Sequence, residues 1–201
     1  MFRPPGALVD DASFDERLPL RLQVQAPTHF TPVEIARRAA QLLAPAPGMT
    51  VLDVGAGAGK LCLVAALAAP DCEFVGIEWR PHLVDVASAL ARELGIRNAR
   101  FLHGDALELD WSAFDSIYLY NPFAEQLEDE GFALDRTIER DPALFVTSVF
   151  DVRRKLARAR AGTRVVTFHG YGAPFPPGYE QADEDTISGE RLELWIKTEA
   201  G

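Results

Sequence analysis

Residues 50–60, Thr-Val-Leu-Asp-Val-Gly-Ala-Gly-Ala-Gly-Lys, decide the fold of this 201-residue chain. Val51 to Val54 is a short apolar run that is typical of a buried strand. Three glycines at alternate positions follow it, and an apolar stretch from Leu61 to Ala69 then indicates a helix. Strand, glycine turn and helix form the first half of a βαβ unit. Glycine lets the backbone approach a ligand closely, and a helix N-terminus presents unpaired N–H groups, so this turn predicts a ligand site.

The alternation of strands and helices continues to the end of the chain. Further strands are predicted at Glu73–Ile77, Ala99–His103, Ser116–Tyr120 and Thr163–Phe168, and further helices at 31–43, 81–94 and 141–161. A closing antiparallel hairpin is predicted at Tyr179–Thr186 and Leu192–Lys197, with its turn at Ser188-Gly189. This order predicts an α/β, doubly wound, mainly parallel sheet with helices on both faces.

Length and composition predict a single domain, residues 31–201, preceded by an N-terminal arm, residues 1–30. Hydrophobic residues are 48% of the chain and charged residues 25%, as in ordinary globular proteins. No apolar run approaches the roughly 18 residues of a membrane span, and the N-terminus lacks an apolar signal core, so a cytoplasmic protein is predicted. Cys62 and Cys72 lie among apolar residues and are expected to be buried, reduced thiols.

The sequence Thr31-Pro-Val-Glu34 predicts the first helix start of the domain. Thr31 can cap the helix, Pro32 suits its first position, and Glu34 can complete a capping box. Thr31 has a second possible role, in which it lines the ligand pocket with His29 and Phe30.

Five polar or glycine positions each follow the end of a predicted parallel strand: Gly55, Glu78, Asp105, Asn121 and His169. In an open α/β sheet these strand ends share one edge, and ligands bind there at the topological switch point. The five positions are therefore expected to surround one site.

Two nucleotide-like ligands compete for the glycine turn. A dinucleotide site has the spacing Gly-x-Gly-x-x-Gly, but Lys60 occupies the position of the third glycine. Asp53, two residues before the turn, suits a ligand with a positive end better than a pyrophosphate. Glu78, at the tip of the next strand, can accept hydrogen bonds from ribose hydroxyls of either ligand.

With these motifs, residues 51–123 resemble the class I (seven-stranded) S-adenosylmethionine-dependent methyltransferases. Val-Leu-Asp-Val-Gly-Ala-Gly-Ala-Gly looks like their first motif, Phe-Val-Gly-Ile-Glu78 their second, and His-Gly-Asp105-Ala their adenine-contacting one. The resemblance implies the strand order 3-2-1-4-5-7-6, with the last strand antiparallel, and S-adenosylmethionine as cofactor. No metal is expected.

The resemblance also implies roles for single residues. The cofactor-binding set would be Asp53, Gly55, Ala56, Gly57, Gly59, Glu78, Trp79, Asp105, Ala106 and Asn121. Asp53 and the glycine turn would hold the methionine part, and Glu78 would bind the ribose hydroxyls. Trp79, Asp105 and Ala106 would contact the adenine. From the residues alone, the alternative is that Glu78 and Asp105 are surface carboxylates and that Trp79 is a packing residue.

The segment Asn121-Pro122-Phe123 is the candidate catalytic group. The Asn121 side chain and the Pro122 carbonyl can accept hydrogen bonds from an amine, while Phe123 walls the pocket. The segment is similar to the Asn-Pro-Pro-Tyr/Phe motif of amide and amino-nitrogen methyltransferases, with one proline missing. It is also similar to the Asn-containing fourth-strand segment of seven-stranded lysine methyltransferases. The alternative is an ordinary strand-ending turn.

An insert rich in acidic residues, 124–141, follows this segment. It is interpreted either as a solvated loop or as a lid that attracts a cationic acceptor. The whole chain has a formal net charge of −10, which disfavours a nucleic-acid partner because such binding depends on neutralising phosphates.

The sequence therefore predicts an S-adenosylmethionine-dependent methyltransferase that acts on a nitrogen of a protein or a small-molecule amine. Three alternatives remain: a methyltransferase directed at oxygen or carbon, a non-catalytic S-adenosylmethionine-binding module and, more distantly, an NAD-binding oxidoreductase. His169 and Tyr171, after the fifth strand, are possible base or pocket residues.

Overall fold

A computed structural model describes residues 8–127, 134 and 141–199, which form a seven-stranded sheet flanked by helices. The strands are β1 (Thr50–Val54), β2 (Glu73–Glu78), β3 (Ala99–His103), β4 (Ser116–Tyr120), β5 (Arg164–Phe168), β6 (Tyr179–Ile187) and β7 (Glu190–Lys197). Their order across the sheet is β3-β2-β1-β4-β5-β7-β6. Strands β1 to β5 are parallel, whereas β7 is antiparallel to both β5 and β6. The predicted fold class and strand order are confirmed.

Six α-helices accompany the sheet in the described part of the chain. They are α1 (Asp11–Asp15), α2 (Leu20–His29), α3 (Val33–Leu43), α4 (Lys60–Ala68), α5 (Pro81–Glu93) and α6 (Pro142–Ala157). Helices α1 and α2 lie in the arm, for which the sequence predicted no regular structure. None of the helices among these residues is long and apolar enough to cross a bilayer.

Helix α3 begins differently from the prediction. Pro32 is its N-cap residue, and no side chain of its own segment caps it. Asp11 of α1 accepts the Val33 N–H instead, at 2.9 Å. The Thr31 hydroxyl is hydrogen-bonded to the Tyr118 hydroxyl at 3.1 Å. The predicted capping role of Thr31 is therefore wrong, because the arm supplies the capping carboxylate.

Two apolar clusters cover the two faces of the sheet. Val51 of β1 packs into the cluster that contains α3 and α4, whereas Leu52 and Val54 pack into the cluster that contains α6. Successive side chains of a strand point to opposite faces, so a strand covered on both faces is a continuous apolar run. Cys62 and Cys72 are buried and form no disulfide, as predicted.

Lys60, at the start of α4, joins the arm to the glycine turn. A cation at a helix N-terminus is unfavourable to the helix dipole, so it needs other partners. The Lys60 side chain is only 3% exposed, and its Nζ lies 2.7 Å from Asp11 Oδ1 and 2.8 Å from Asp15 Oδ1. Its Nζ also lies 5.3 Å from the centroid of the Phe14 ring. This buried ion pair holds α1 against the sheet edge where the turn lies.

Candidate cofactor and acceptor site

The glycine turn after β1 adopts a backbone that other residues rarely adopt. Gly55 has a φ of +78°, and Gly57 has a φ of +54°. A Cβ added to Gly57 would lie 2.9 Å from Cε1 of Phe30, whereas one added to Gly55 would meet no atom within 4 Å. Only glycine thus fits at position 57, because the backbone has a positive φ and because a Cβ would clash with Phe30 of the arm.

A cavity of about 530 Å³ opens at the carboxyl ends of the parallel strands. Its size is within the usual range for small-molecule sites, about 300–1,000 Å³. Nine of the predicted site residues line it: Gly55, Gly57, Glu78, Trp79, Asp105, Ala106, Asn121, Pro122 and Phe123. His169 and the arm residues Thr28, His29 and Phe30 line it as well. The shared edge predicted from the strand ends is therefore present.

Asp53, Ala56 and Gly59 do not line this cavity. Asp53 lies in β1 with 4% of its surface exposed, and its Oδ2 accepts a hydrogen bond from the Cys62 thiol at 3.5 Å. The pKa of Asp53 is raised to about 7, mainly by burial. The hydrogen bond from the Cys62 thiol partly offsets this rise, and the negative charge of Glu78 adds to it. The role of Asp53 toward the methionine part stays a prediction, and Gly59 lies at the N-cap of α4.

The Glu78 carboxylate connects the glycine turn to the loop after β2. Its Oε2 accepts the Gly57 N–H at 3.0 Å, and its Oε1 accepts the Arg80 N–H at 2.9 Å. Arg80 Nη1 also donates to Oε1, at 3.2 Å. A carboxylate offers about four lone-pair positions, so this buried side chain is held in place and retains capacity for a ribose hydroxyl.

The loop after β3 forms the end of the cavity where the sequence predicts the adenine. Asp105 Oδ1 accepts the Leu107 N–H at 2.8 Å, which fixes the loop as it turns past the cavity. Trp79 is 53% exposed and lines the cavity from the loop after β2. Its carbonyl oxygen lies 2.9 Å from His103 Nε2. An exposed indole beside a carboxylate fits the flat face and the amino group of an adenine.

Strained backbone is concentrated on the other side of the glycine turn, in the loops after β4 and β5. Asn121, Phe123 and His169 have φ values of +38°, +71° and +60°, and all three line the cavity. Left-handed non-glycine residues cost on the order of 1–3 kcal/mol each and cluster at functional sites. The Asn121 N–H donates to the Gly170 carbonyl at 3.0 Å, which ties the loops after β4 and β5 together.

Sequence reasoning missed Arg80, which lines the cavity between two carboxylates. It pairs with Glu78 and, through Nη2, with Glu125, while its Nε is buried without a hydrogen-bond partner among the described residues. Only its position two residues after Glu78 could have indicated this role.

Of the acidic insert, the described residues are 124–127, 134 and 141. Leu134 is buried and lines the cavity, and its carbonyl accepts hydrogen bonds from Arg21 at 3.3 Å and Gln25 at 3.2 Å. Glu128, Asp129, Glu130, Asp135 and Glu139, on which the lid hypothesis depended, lie outside the described residues.

This sheet order, with a glycine turn after β1 and a carboxylate after β2, defines a class I S-adenosylmethionine-dependent methyltransferase fold. Residues 45–156 match a family model described as a methyltransferase domain. The chain belongs to this family, whose methyl donor is S-adenosylmethionine. The cavity residues fit that molecule. Glu78, Trp79 and Asp105 line the cavity, and so does Gly55, which has open space where a Cβ would be.

Curated relatives match over short stretches. A tRNA (guanine-N(7)-)-methyltransferase of Synechococcus sp. (strain JA-3-3Ab) is 40% identical over 87 residues, 42% of this chain and 33% of that protein. The release factor glutamine methyltransferase of Escherichia coli (strain K12) is 36% identical over 55 residues, 27% of this chain and 20% of that protein. The matches thus span a third or less of these relatives.

Solved structures share the fold over most of the chain. TrmN from Thermus thermophilus gives a TM-score of 0.63 at 24% identity, covering 86% of this chain and 51% of that one. An RNA methyltransferase from Salinibacter ruber, solved with S-adenosyl-L-homocysteine, gives 0.56 at 22% identity, covering 84% of this chain and 92% of that one.

Proposed function

We propose that the chain is an S-adenosylmethionine-dependent methyltransferase that acts on a nitrogen of a protein or a small-molecule amine. The observation that carries this proposal is the single cavity with two unlike sides. Along the sheet edge, Glu78 and Asp105 lie on one side of the glycine turn and the Asn121–Phe123 segment lies on the other, and all of them line the cavity. A donor and an acceptor bound in one cavity can be aligned for transfer, and such alignment can supply about 7–11 kcal/mol of the barrier.

Each side of the cavity has its own task in this proposal. When bound, the cofactor supplies a methyl group on a positively charged sulfur. Glu78, already held by the Gly57 N–H and by Arg80, accepts hydrogen bonds from the ribose hydroxyls. The Asn121 side chain and the Pro122 carbonyl accept hydrogen bonds from the acceptor nitrogen and direct its lone pair.

A second candidate is methyl transfer to a nitrogen of a nucleobase. Its support is the tRNA (guanine-N(7)-)-methyltransferase among the relatives. The net charge of −10 opposes it, because phosphates would approach a surface of like charge. We therefore rank it below an amine acceptor.

A screen of acceptor classes tests both candidates. Release of S-adenosylhomocysteine is measured with lysine-rich protein, small aliphatic amines, glutamine-containing peptides, catechols and unmodified tRNA, at low and physiological salt. Asn121→Ala is the matched variant for every acceptor that reacts. We expect product with an amine and little with tRNA. Cofactor binding without product from any acceptor would favour a non-catalytic binding module instead.

A further inference from the structure

Two aromatic rings, those of Tyr120 and His169, line the cavity beside Asn121, and both pack against the buried ring of Phe168. The ring centroids of Phe168 and His169 are 4.2 Å apart, and those of Tyr120 and Phe168 are 4.8 Å apart. Tyr120 and His169 are 5.6 Å apart and both line the cavity. Ammonium groups are attracted to the faces of aromatic rings. This corner therefore suits a cationic amine better than a neutral amide.

His169 is held in this corner by its backbone and by an acidic neighbour. It directly follows β5, with a φ of +60°, and its Nε2 lies 3.4 Å from Glu190 Oε2 of β7. From β4, Tyr120 faces the imidazole ring, and the Tyr120 hydroxyl donates to the Thr28 carbonyl of α2 at 3.3 Å. The other titratable groups that line the cavity among the described residues are His29, Glu78, Arg80, Asp105 and Glu125.

The imidazole ring is next to the segment that is proposed to hold the acceptor nitrogen. Tyr120 and Phe168 are paired in the register of β4 and β5, so Asn121 and His169 follow directly paired residues. The hydrogen bond from the Asn121 N–H to the Gly170 carbonyl, at 3.0 Å, joins the same two loops. A nitrogen bound by Asn121 is thereby close to the imidazole ring of His169.

We infer that the methyl acceptor is an aliphatic amine, protonated at neutral pH, and that His169 removes its proton before transfer. The neutral imidazole takes one proton from the ammonium group and becomes imidazolium beside Glu190. The freed lone pair forms the bond between nitrogen and the methyl carbon while the bond between carbon and sulfur breaks. The electron pair of that bond stays on sulfur, and the positive charge passes to the methylated nitrogen. This inference rests on the proposed methyl transfer and names its acceptor class.

Tyr171, the other residue considered as a base, does not serve this role. It is 1% exposed, and its hydroxyl donates to the Pro174 carbonyl at 2.7 Å. Burial raises the pKa of Tyr171 to about 12. A neutral amide has no ammonium proton to lose before transfer, so a base that acts on the ammonium group separates the two acceptor classes.

A binding experiment tests the inference without turnover. The histidine Cε1–H resonances of the full chain are followed by NMR in saturating S-adenosylhomocysteine. His169 is identified through the variant His169→Asn, since asparagine tolerates the left-handed backbone. N-acetyl-lysinamide should shift the His169 resonance, and N-acetyl-glutaminamide should not. A shift with the amide alone, or with neither probe, would overturn the inference.

The pH profile separates a base from a structural residue. With the amine that reacts in the acceptor screen, His169→Asn should lower kcat by about 10²–10⁴-fold, the usual contribution of a general base. The variant should recover activity as pH rises, because free amine then forms in solution. His29→Asn tests the rival histidine in the cavity, and His82→Asn, at an exposed position of α5, is the control.

The outcomes distinguish this inference from the proposed function. Three results would overturn the base assignment alone. The first is a loss of activity in His29→Asn instead of His169→Asn, and the second is a loss in His169→Asn that does not depend on pH. The third is an amide acceptor that reacts equally well with the wild-type chain and with His169→Asn. Failure of the wild-type chain to release S-adenosylhomocysteine with every acceptor would overturn the methyltransferase proposal and, with it, the inference.

Discussion

Asp53→Asn should stabilise the protein at neutral and alkaline pH. Burial raises the pKa of Asp53 from 3.8 to about 7, so the folded state holds a proton that the unfolded chain has already lost between these pH values. Stability contributed by this proton is therefore full below pH 3.8 and is lost as pH rises toward 7. Asparagine keeps an acceptor for the Cys62 thiol and never ionises.

The size of the effect follows from the two pKa values. At about 1.36 kcal/mol per pKa unit, ionising the buried carboxyl group costs about 4 kcal/mol above pH 7. We expect Asp53→Asn to raise the free energy of unfolding by about 1.5 kcal/mol at pH 5 and by about 4 kcal/mol at pH 8, less any loss of packing.

Urea unfolding of the cofactor-free protein at pH 5, 6, 7 and 8 measures this difference. Asp71→Asn, at an exposed position before β2, is the matched control for the removal of one carboxylate. A destabilised Asp53→Asn variant at pH 8, or a gain that is constant from pH 5 to pH 8, would refute the reasoning. A constant gain would mean that Asp53 ionises at its ordinary pKa in the folded state.

Three further predictions concern the turn and its supports. Glu78→Gln should weaken S-adenosylmethionine binding by about 10- to 150-fold in calorimetry, since hydrogen bonds to a charged group contribute about 1.5–3 kcal/mol; wild-type affinity would contradict the assignment. Gly57→Ala should cost more stability in thermal unfolding than Gly95→Ala, because both positions have positive φ but only Gly57 meets a neighbouring ring; equal losses would count against the packing argument. Lys60→Met should lower the free energy of unfolding by about 1–3 kcal/mol. This loss is smaller than for a fully buried ion pair because Asp11 is half exposed. An unchanged midpoint of urea unfolding would show that the ion pair does not hold the arm.

The site could be predicted from the sequence wherever its residues follow strand ends. Glu78, Asp105 and Asn121 are far apart in the chain, yet parallel strands bring their own carboxyl ends to one edge. The apolar pattern alone locates those ends, and the structure has all three residues in one cavity. The rule needs no information about side-chain contacts, which is why it succeeded.

The arm could not be predicted because its position depends on a distant ion pair. Helix α2 has a proline inside it, at Pro27, and leaves Leu20 and Val24 exposed, so its pattern gives no clear helical signal. Its last residues line the cavity, and the contacts that hold the arm there include the ion pairs of Lys60 with the carboxylates of α1. In the sequence, Lys60 departs from a dinucleotide fingerprint, and none of the residues near it indicates its partners.

The position of Asp53 beside the glycine turn does not by itself say where its side chain points. Its position two residues before the glycine turn favoured direct contact with the cofactor. In a strand, however, a side chain points to one face of the sheet rather than along the edge, and the Asp53 side chain lies against Cys62 of α4. A buried carboxyl group there destabilises the cofactor-free protein once it ionises, and a cation bound at the turn would relieve that cost. We therefore expect the free energy of the buried Asp53 carboxyl group to depend on what the turn binds.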